Sequence, residues 1–252
     1  MALQDRVAIV TGGGSGFGEA FAHRFAGEGA RVLIADISEE AGARVAKDIG
    51  AAGGTASVVQ TDVSDRDDVA SAVELATERY GRLDIVMNNA GIVAPKENVT
   101  DLQEHMYDRL FAVNVKSIYL FAHFGAPVMR HNGGGVIINT ASTAALKPRP
   151  GNAAYAASKA AVVTFTKALA VELAPDKIRV NALLPVAART PLFYDYVGEG
   201  NEALVQQMEA AIPLGRMCEP ADMAACAAFL ASDEAAFVTG AALPVDGGWT
   251  AG

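Results

Sequence analysis

The amino-acid sequence predicts a three-layer α/β fold: a doubly wound, parallel, seven-stranded sheet in one domain spanning residues 1–252. Three observations carry that expectation. Short runs rich in β-branched residues alternate with segments of helical periodicity along the whole chain, a pattern that requires parallel strands joined by helical crossovers. A glycine cluster stands between the first of those runs and the first helical segment. No charge block, low-complexity run, linker or repeat of about 20–50 residues divides the alternation.

In order, Arg6–Thr11 predicts the first strand from Val7, Ile9 and Val10, and Phe17–Gly29 a helix with Phe21 and Phe25 on one face. Arg31–Asp36 predicts the second strand and Glu39–Ala51 a helix that Ser38 can cap. Ala56–Thr61, Asp65–Tyr80 and Leu83–Asn88 follow as strand, helix and strand. A long helical region covers about 101–131, then come the strand Gly135–Ala141 and a helix over about 153–173. Ile178–Leu184 predicts the sixth strand, Pro220–Ala231 the last helix and Ala241–Val245 the seventh strand. Residues 190–215 are the longest stretch without a strand and are expected to be a substrate-loop insertion.

Composition narrows the function. Apolar residues make up 51% of the chain, enough for a substantial core, and the net charge of -9 argues against nucleic-acid binding, which needs clustered positive charge. Cys218 and Cys226 stand apart from any metal-ligand spacing, so no metal site is expected. Met1–Arg6 has no cationic start leading into an apolar run, and the most apolar helical segment, residues 160–174, carries Lys167 and Glu172. The expectation is a cytoplasmic protein without a membrane span.

Tyr155-Ala-Ala-Ser-Lys159 places a phenol and an ammonium four residues apart in a helix-favouring run, hence on one helical face. A tyrosine titrates near ~10, so proton transfer near pH 7 needs about 4 kcal/mol of stabilisation of its anion. A cation at ~4 Å in an effective dielectric of ~20 supplies about that much. The pair reads as a general acid/base tuned by its lysine, or, taken alone, as an ordinary surface pair.

Thr11-Gly12-Gly13-Gly14-Ser15-Gly16-Phe17-Gly18 sits where backbone N–H groups and a helix dipole favour a phosphate. It satisfies T-G-x-x-x-G-x-G. Asp62-Val63 follows the third strand, Asn88-Asn89-Ala90-Gly91 the fourth, Asn114 lies in the long helical region, and Ser142 precedes Tyr155 by thirteen residues. Individually, Asn88 and Asn89 can be turn formers, Ser142 a helix cap, and Asn114 a kink or a satisfied buried amide. As an ordered set, they resemble the short-chain dehydrogenase/reductase family, in its single-domain form of roughly 250 residues with a Rossmann-type sheet. The resemblance runs nearly end to end.

Asp36 ends the second strand, close to the position where an acid hydrogen-bonds the adenosine ribose, and would repel a 2′-phosphate. Positions 13 to 15 and Ile37 offer no cation to counter it, so NAD is expected. The resemblance implies that Gly12, Ser15, Gly16, Phe17, Gly18, Asp36, Ile37, Asp62 and Val63 hold the adenosine and pyrophosphate. It places Asn89, Ala90 and Gly91 on the ribose, and Pro185, Ala188 and Thr190 with Tyr155 and Lys159 at the nicotinamide end. It also implies that Ser142 bonds the substrate oxygen, that Tyr155 moves its proton and that Lys159 and the positive nicotinamide ring stabilise the phenolate. Asn114 would hold a water that links Lys159 to solvent.

One position departs from the family. Asn181-Ala-Leu-Leu-Pro185 is followed by Val186 where most members have glycine, which excludes a positive φ and should narrow or reshape the pocket.

The expected substrate is a secondary alcohol or its ketone, of sugar, polyol, cyclic or hydroxy-acid type. Lys147, Arg149 and Arg189 are expected to rim the site and to attract an anion. Phe193, Tyr194, Tyr196, Leu204 and Met208 either form a lid hinged at Gly198 and Gly200 or pack the loop onto its own domain or a neighbour. A 3-oxoacyl-thioester reductase is the alternative enzyme, and a non-catalytic dinucleotide sensor the alternative from another class. The resemblance further suggests a homotetramer built on helices 101–131 and 153–173 and on the last strand. Trp249 either contacts another subunit there or covers its own core.

Overall fold

The strands are β1 Val7–Thr11, β2 Arg31–Asp36, β3 Thr55–Gln60, β4 Ile85–Asn88, β5 Gly135–Thr140, β6 Ile178–Pro185 and β7 Ala242–Val245. The structure, a computed structural model, describes residues 1–191, 193–194 and 202–252. Tyr196, Gly198 and Gly200 lie outside the described residues. All the strands run parallel, in the order β3-β2-β1-β4-β5-β6-β7.

Successive side chains on a strand face opposite sides, so a sheet covered on both faces needs apolar residues at every position. β1 meets this requirement at Val7, Ala8, Ile9 and Val10, and the hydroxyl-bearing Thr11 at its carboxyl end is buried with them. Val7 and Ile9 join the core beneath α3 Arg66–Tyr80, α5 Ser117–His131 and α6 Ala153–Leu173, through Val69, Phe121 and Val162. Ala8 and Val10 face the other way, toward Phe21 and Phe25 of α1 Gly16–Gly27, Val45 of α2 Glu39–Ala51 and Met223 of α8 Pro220–Ala231. Two further helices are α4 Glu104–Phe111, which buries Leu110, and α7 Glu202–Ala211, whose Val205 joins the core with Phe21, Phe25 and Met223.

The long helical region expected over about 101–131 is present from Glu104 to His131, in three consecutive parts. Between α4 and α5, residues Ala112–Lys116 form a π-helical turn around Asn114. Asn114 Oδ1 accepts from Ile92 N (2.9 Å), and Nδ2 donates to Ile92 O (3.0 Å) and Ser158 Oγ (3.1 Å). A buried amide bonded at three points to other segments holds the widened turn in place.

Strand order reverses at β1, whose neighbours are β2 and β4. Their following loops therefore part, opening a crevice at the carboxyl edge. The helix carrying Tyr155 is fixed to the sheet by a buried relay: Asn88 Nδ2 donates to Asn139 Oδ1 and Asn139 Nδ2 to Thr166 Oγ1, each at 2.9 Å. Among the described residues, no helix is long and apolar enough to cross a membrane. Cys218 and Cys226 are free thiols, and burial pushes Cys218 up to about 12, which makes it a packing group rather than a nucleophile.

Replacing Thr166 with the isosteric valine strands a buried amide donor. Thr166→Val should lower unfolding stability by about 1–2 kcal/mol, read from the shift of the urea midpoint at constant slope.

Candidate active site

Four loop segments meet along a cleft of about 420 Å³ at the carboxyl edge of the sheet. The first is the glycine loop. Gly12 has φ +60°, a left-handed conformation that glycine adopts without strain, and its backbone lies against Ala90. Any side chain on Gly18 would run into the Gly12 carbonyl, so this glycine lets α1 pack against the turn. Gly16 and Gly18 shape the loop from behind, whereas Gly12, Ser15 and Phe17 line the cleft. Ser15 precedes α1 in an extended conformation, and its side chain makes no capping bond. The first-turn amides of α1 thus have no side-chain partner from Ser15 and present donors to an anion. A dinucleotide pyrophosphate fits these residues.

The fourth strand supplies the opposite wall. Thr11 Oγ1 accepts from Asn89 N (2.9 Å) and Ala90 N (3.0 Å), while Asn89 Nδ2 donates to Thr11 O (3.1 Å). Asn89 thus knots the two loops together while Asn89, Ala90 and Gly91 line the cleft.

Asp36 also serves the glycine loop. Its Oδ2 accepts from Gly14 N (2.8 Å) and its Oδ1 from Ser38 N (2.9 Å), while Ser38 caps α2 as expected. Asp36 and Ile37 line the same end. Sequence spacing missed Arg44, which donates to Gly14 O at 2.9 Å. Its charge is already matched by Glu19, at 2.7 and 2.9 Å. Arg109 was missed as well. It lines the cleft beside Asp62 and Val63 and bonds both Ser64 Oγ (2.7 Å) and Asp62 Oδ2 (3.2 Å). Partial burial disfavours the Asp62 charge, but the hydroxyl and amide of Ser64 together with Arg109 outweigh it and hold the carboxyl below its ordinary value.

At the other end, α6 brings Tyr155 and Lys159 to one face. The Lys159 ammonium lies 5.8 Å from the centre of the Tyr155 ring and donates to Thr140 O at 2.9 Å. Complete burial pushes that ammonium down from 10.5 to about 8. Asn114 Oδ1 and Lys159 Nζ lie 3.2 and 3.3 Å from the point that a Gly91 side chain would occupy, so glycine there keeps a space open between them. Asn114 itself stands behind the wall of the cleft. Ser142 follows β5 and lines the cleft; its Oγ accepts from Ala144 N at 3.1 Å, which leaves its O–H free to donate.

Pro185, Ala188 and Thr190 line the same half. Val186 is buried, keeps an ordinary negative-φ backbone and contributes to the wall, as the departure from glycine predicts. Phe193 and Met208 also face in, whereas Tyr194 packs edge-on against Phe193, 5.4 Å between ring centres, and is not part of the lining. Arg189 corrects an expectation. Glu209 holds its guanidinium at 3.1 Å, away from the cleft. Lys147 and Arg149 do rim the site, and Trp249 packs against its own core while its ring lines the cleft, with the Arg149 and Lys147 cations 4.5 and 4.8 Å from its centre.

A glycine loop at the sheet's switch point and a lysine-backed tyrosine in the same cleft define a dinucleotide-dependent oxidoreductase domain. Comparison with known proteins agrees. A family model described as enoyl-(acyl carrier protein) reductase matches residues 12–250. The 4-formylbenzenesulfonate dehydrogenase TsaC1/TsaC2 of Comamonas testosteroni is 43% identical, covering 98% of this chain and 99% of its own. The 2,5-dichloro-2,5-cyclohexadiene-1,4-diol dehydrogenase LinX of Sphingobium indicum is 40% identical over 99% of this chain and 98% of its own. A solved 3-ketoacyl-(acyl-carrier-protein) reductase from Brucella melitensis, complexed with NADH, superposes with a TM-score of 0.92 at 45% identity, over 98% of this chain and 99% of that one. The chain belongs to the short-chain dehydrogenase/reductase family.

The buried ammonium sets a stability prediction. Below pH 8 it is charged in both folded and unfolded chains, and its depressed proton affinity corresponds to a cost of roughly 3 kcal/mol. That cost fades as pH rises from about 8 to 10.5, where the unfolded chain still holds the proton and the folded chain has released it. Lys159→Met should therefore stabilise the apoprotein by about 1–3 kcal/mol at pH 7, with a smaller gain at pH 9.5, as measured by thermal melts at both values.

Proposed function

We propose that the protein is an NAD-dependent dehydrogenase interconverting a secondary alcohol borne on a ring and its ketone, with Tyr155 as general acid and base. The observation that carries this reading is the Lys159 ammonium buried beside the Tyr155 ring at the foot of the cleft. A bound nicotinamide would supply the hydride acceptor for oxidation of the carbinol carbon and the hydride donor for reduction of the ketone. Tyr155 takes the hydroxyl proton during oxidation and gives it back during reduction. The Ser142 hydroxyl holds the same oxygen, and Lys159 favours the phenolate over the phenol. A water in the space left by Gly91, between Asn114 Oδ1 and Lys159 Nζ, carries the proton onward toward solvent.

NAD is supported over NADP by the Asp36 carboxylate, which meets the ribose end of the cleft without a free cation beside it: Arg44 is already matched by Glu19. A ring alcohol is supported by the apolar wall of Val186, Phe193 and Met208 and by the names of the two relatives, which denote ring-bearing substrates. A 3-oxoacyl-thioester reductase is the second reading, favoured by the ketoacyl reductase among the solved neighbours.

The assay is NADH formation across cyclic alcohols, with NADP in parallel and with the reverse direction on ketones and acetoacetyl thioesters. Tyr155→Phe should lower kcat at least ~100-fold while leaving NADH affinity intact. Asp36→Ala should reduce the preference for NAD over NADP at least ~10-fold. Faster turnover of the thioester than of any ring ketone would establish the second reading; NAD binding without turnover in either direction would make the chain a sensor.

A homotetramer accompanies this proposal. Tyr107, Tyr119 and Val171 on α4, α5 and α6 are exposed, and so is Phe237 ahead of β7, apolar surface where subunits would meet. Light scattering in solution should give four times the 26.1 kDa chain mass; a monomer would refute it.

A further inference from the structure

The residues Lys147, Arg149 and Trp249 form a cluster that the hydride chemistry leaves unused. They come from two distant segments. Lys147 and Arg149 lie between Ser142 and Tyr155 in sequence, and Trp249 follows β7. All three line the cleft.

The tryptophan is held firmly. Asp246 Oδ1 accepts from Gly248 N (3.0 Å), and its Oδ2 accepts from Thr250 N (2.9 Å) and Thr250 Oγ1 (2.6 Å). Trp249 N donates to Asp246 O at 3.1 Å. The same turn is tied to the segment after α7 by Leu214 N donating to Gly247 O at 3.1 Å, and Gly248 lies against Pro213. Lys147 Nζ donates to Trp249 O (3.4 Å) and Gly252 O (2.7 Å), which anchors it over the turn.

The two cations differ in their counterions from several arginines of this acidic surface, although, among the described residues, Arg31 and Arg66 also face aromatic rings without a carboxylate partner. Arg44, Arg109, Arg189 and Arg216 each pair with a carboxylate. Among the described residues, no aspartate or glutamate pairs with Lys147 or Arg149; Lys147 is held by the Trp249 and Gly252 oxygens, and what orients the Arg149 guanidinium is the indole face. A cation–π contact fixes the position of a guanidinium and leaves its charge unneutralised. A fixed, unneutralised guanidinium in the same cleft as the Ser142 and Tyr155 hydroxyls is a receptor for an oxyanion such as a carboxylate or a sulfonate.

We propose that Arg149, positioned by Trp249 and reinforced by Lys147, selects substrates that carry a carboxylate or sulfonate on the apolar ring. This inference rests on the dehydrogenase reading of the site and narrows its substrate class. Arg149 contacts the acid group, Trp249 is a positioning residue, and the apolar wall receives the ring between the acid group and the reacting carbon.

The test is binding to the enzyme–NADH complex, followed by nicotinamide fluorescence, of cyclohexanecarboxylate and of its neutral amide. The wild type should bind the acid at least ~10-fold more tightly, with the difference shrinking as salt is raised. Arg149→Ala should bring acid binding down to the level of the amide, and Arg149→Lys should restore part of the difference. Trp249→Leu should weaken acid binding several-fold, with NADH affinity and melting temperature serving as folding controls. Equal binding of acid and amide by the wild type, or an undiminished preference in Arg149→Ala, would overturn the anion selection and leave the dehydrogenase reading standing. Failure of NADH to bind would bring down that reading and this one together.

Discussion

An ammonium buried in the protein interior is the constraint around which the site is built. Lys159 gives up nearly all its hydration and receives one strong protein acceptor, the Thr140 carbonyl at the end of β5. Such a group is expensive to keep charged, and the downward displacement of its proton affinity registers that expense. The neighbouring parts can be understood as what makes the position tolerable and useful. Gly91 leaves room beside the nitrogen, Asn114 braces the segment that carries Gly91's neighbour Ile92, and Ser158 ties that amide back to the Tyr155 carbonyl. The π-helical turn exists because Asn114 answers to partners outside its own helix.

The sequence was most legible where a residue's role follows from its immediate neighbours. The alternation of strands and helices, the glycine loop, the Ser38 cap and the four-residue spacing of Tyr155 and Lys159 are local patterns, and all reappear in the structure. What escaped is long-range. Arg44 reaches a carbonyl 30 residues away, Arg109 a carboxylate 47 residues away, and Lys147 a carbonyl 102 residues away. No periodicity encodes such meetings. Arg189 failed for the same reason in reverse: its loop does rim the cleft, but Glu209 on the next helix captures the side chain. The helical region expected over about 101–131 is present, and its π-helical turn comes from bonds that only the folded chain supplies.

Val186 shows how a local departure was read correctly in kind. A β-branched residue there rules out the left-handed backbone open to glycine, and the chain indeed passes through Val186 with negative φ. Its side chain becomes part of the wall instead, in the half of the cleft that also holds Pro185, Ala188 and Thr190. The cleft is thereby smaller and more apolar at that point than a glycine would leave it, a change of shape that leaves Tyr155, Lys159 and Ser142 untouched.

Charge within the cleft is distributed against the charge of the whole. The chain carries a net -9, which at long range opposes any acid. At physiological ionic strength, however, fields from exposed charges fade over about 8 Å, so a bound molecule responds chiefly to the groups that surround it. At one end those are the carboxylates of Asp36 and Asp62, partly engaged by backbone amides, Ser64 and Arg109. At the other they are Lys147, held by the Trp249 and Gly252 oxygens, and Arg149, steadied by an indole in place of a counterion. The difference between a carboxylate partner and an aromatic one decides what such a cation can do. Glu209 cancels the charge of Arg189 while fixing it, whereas Trp249 fixes Arg149 and leaves its charge available.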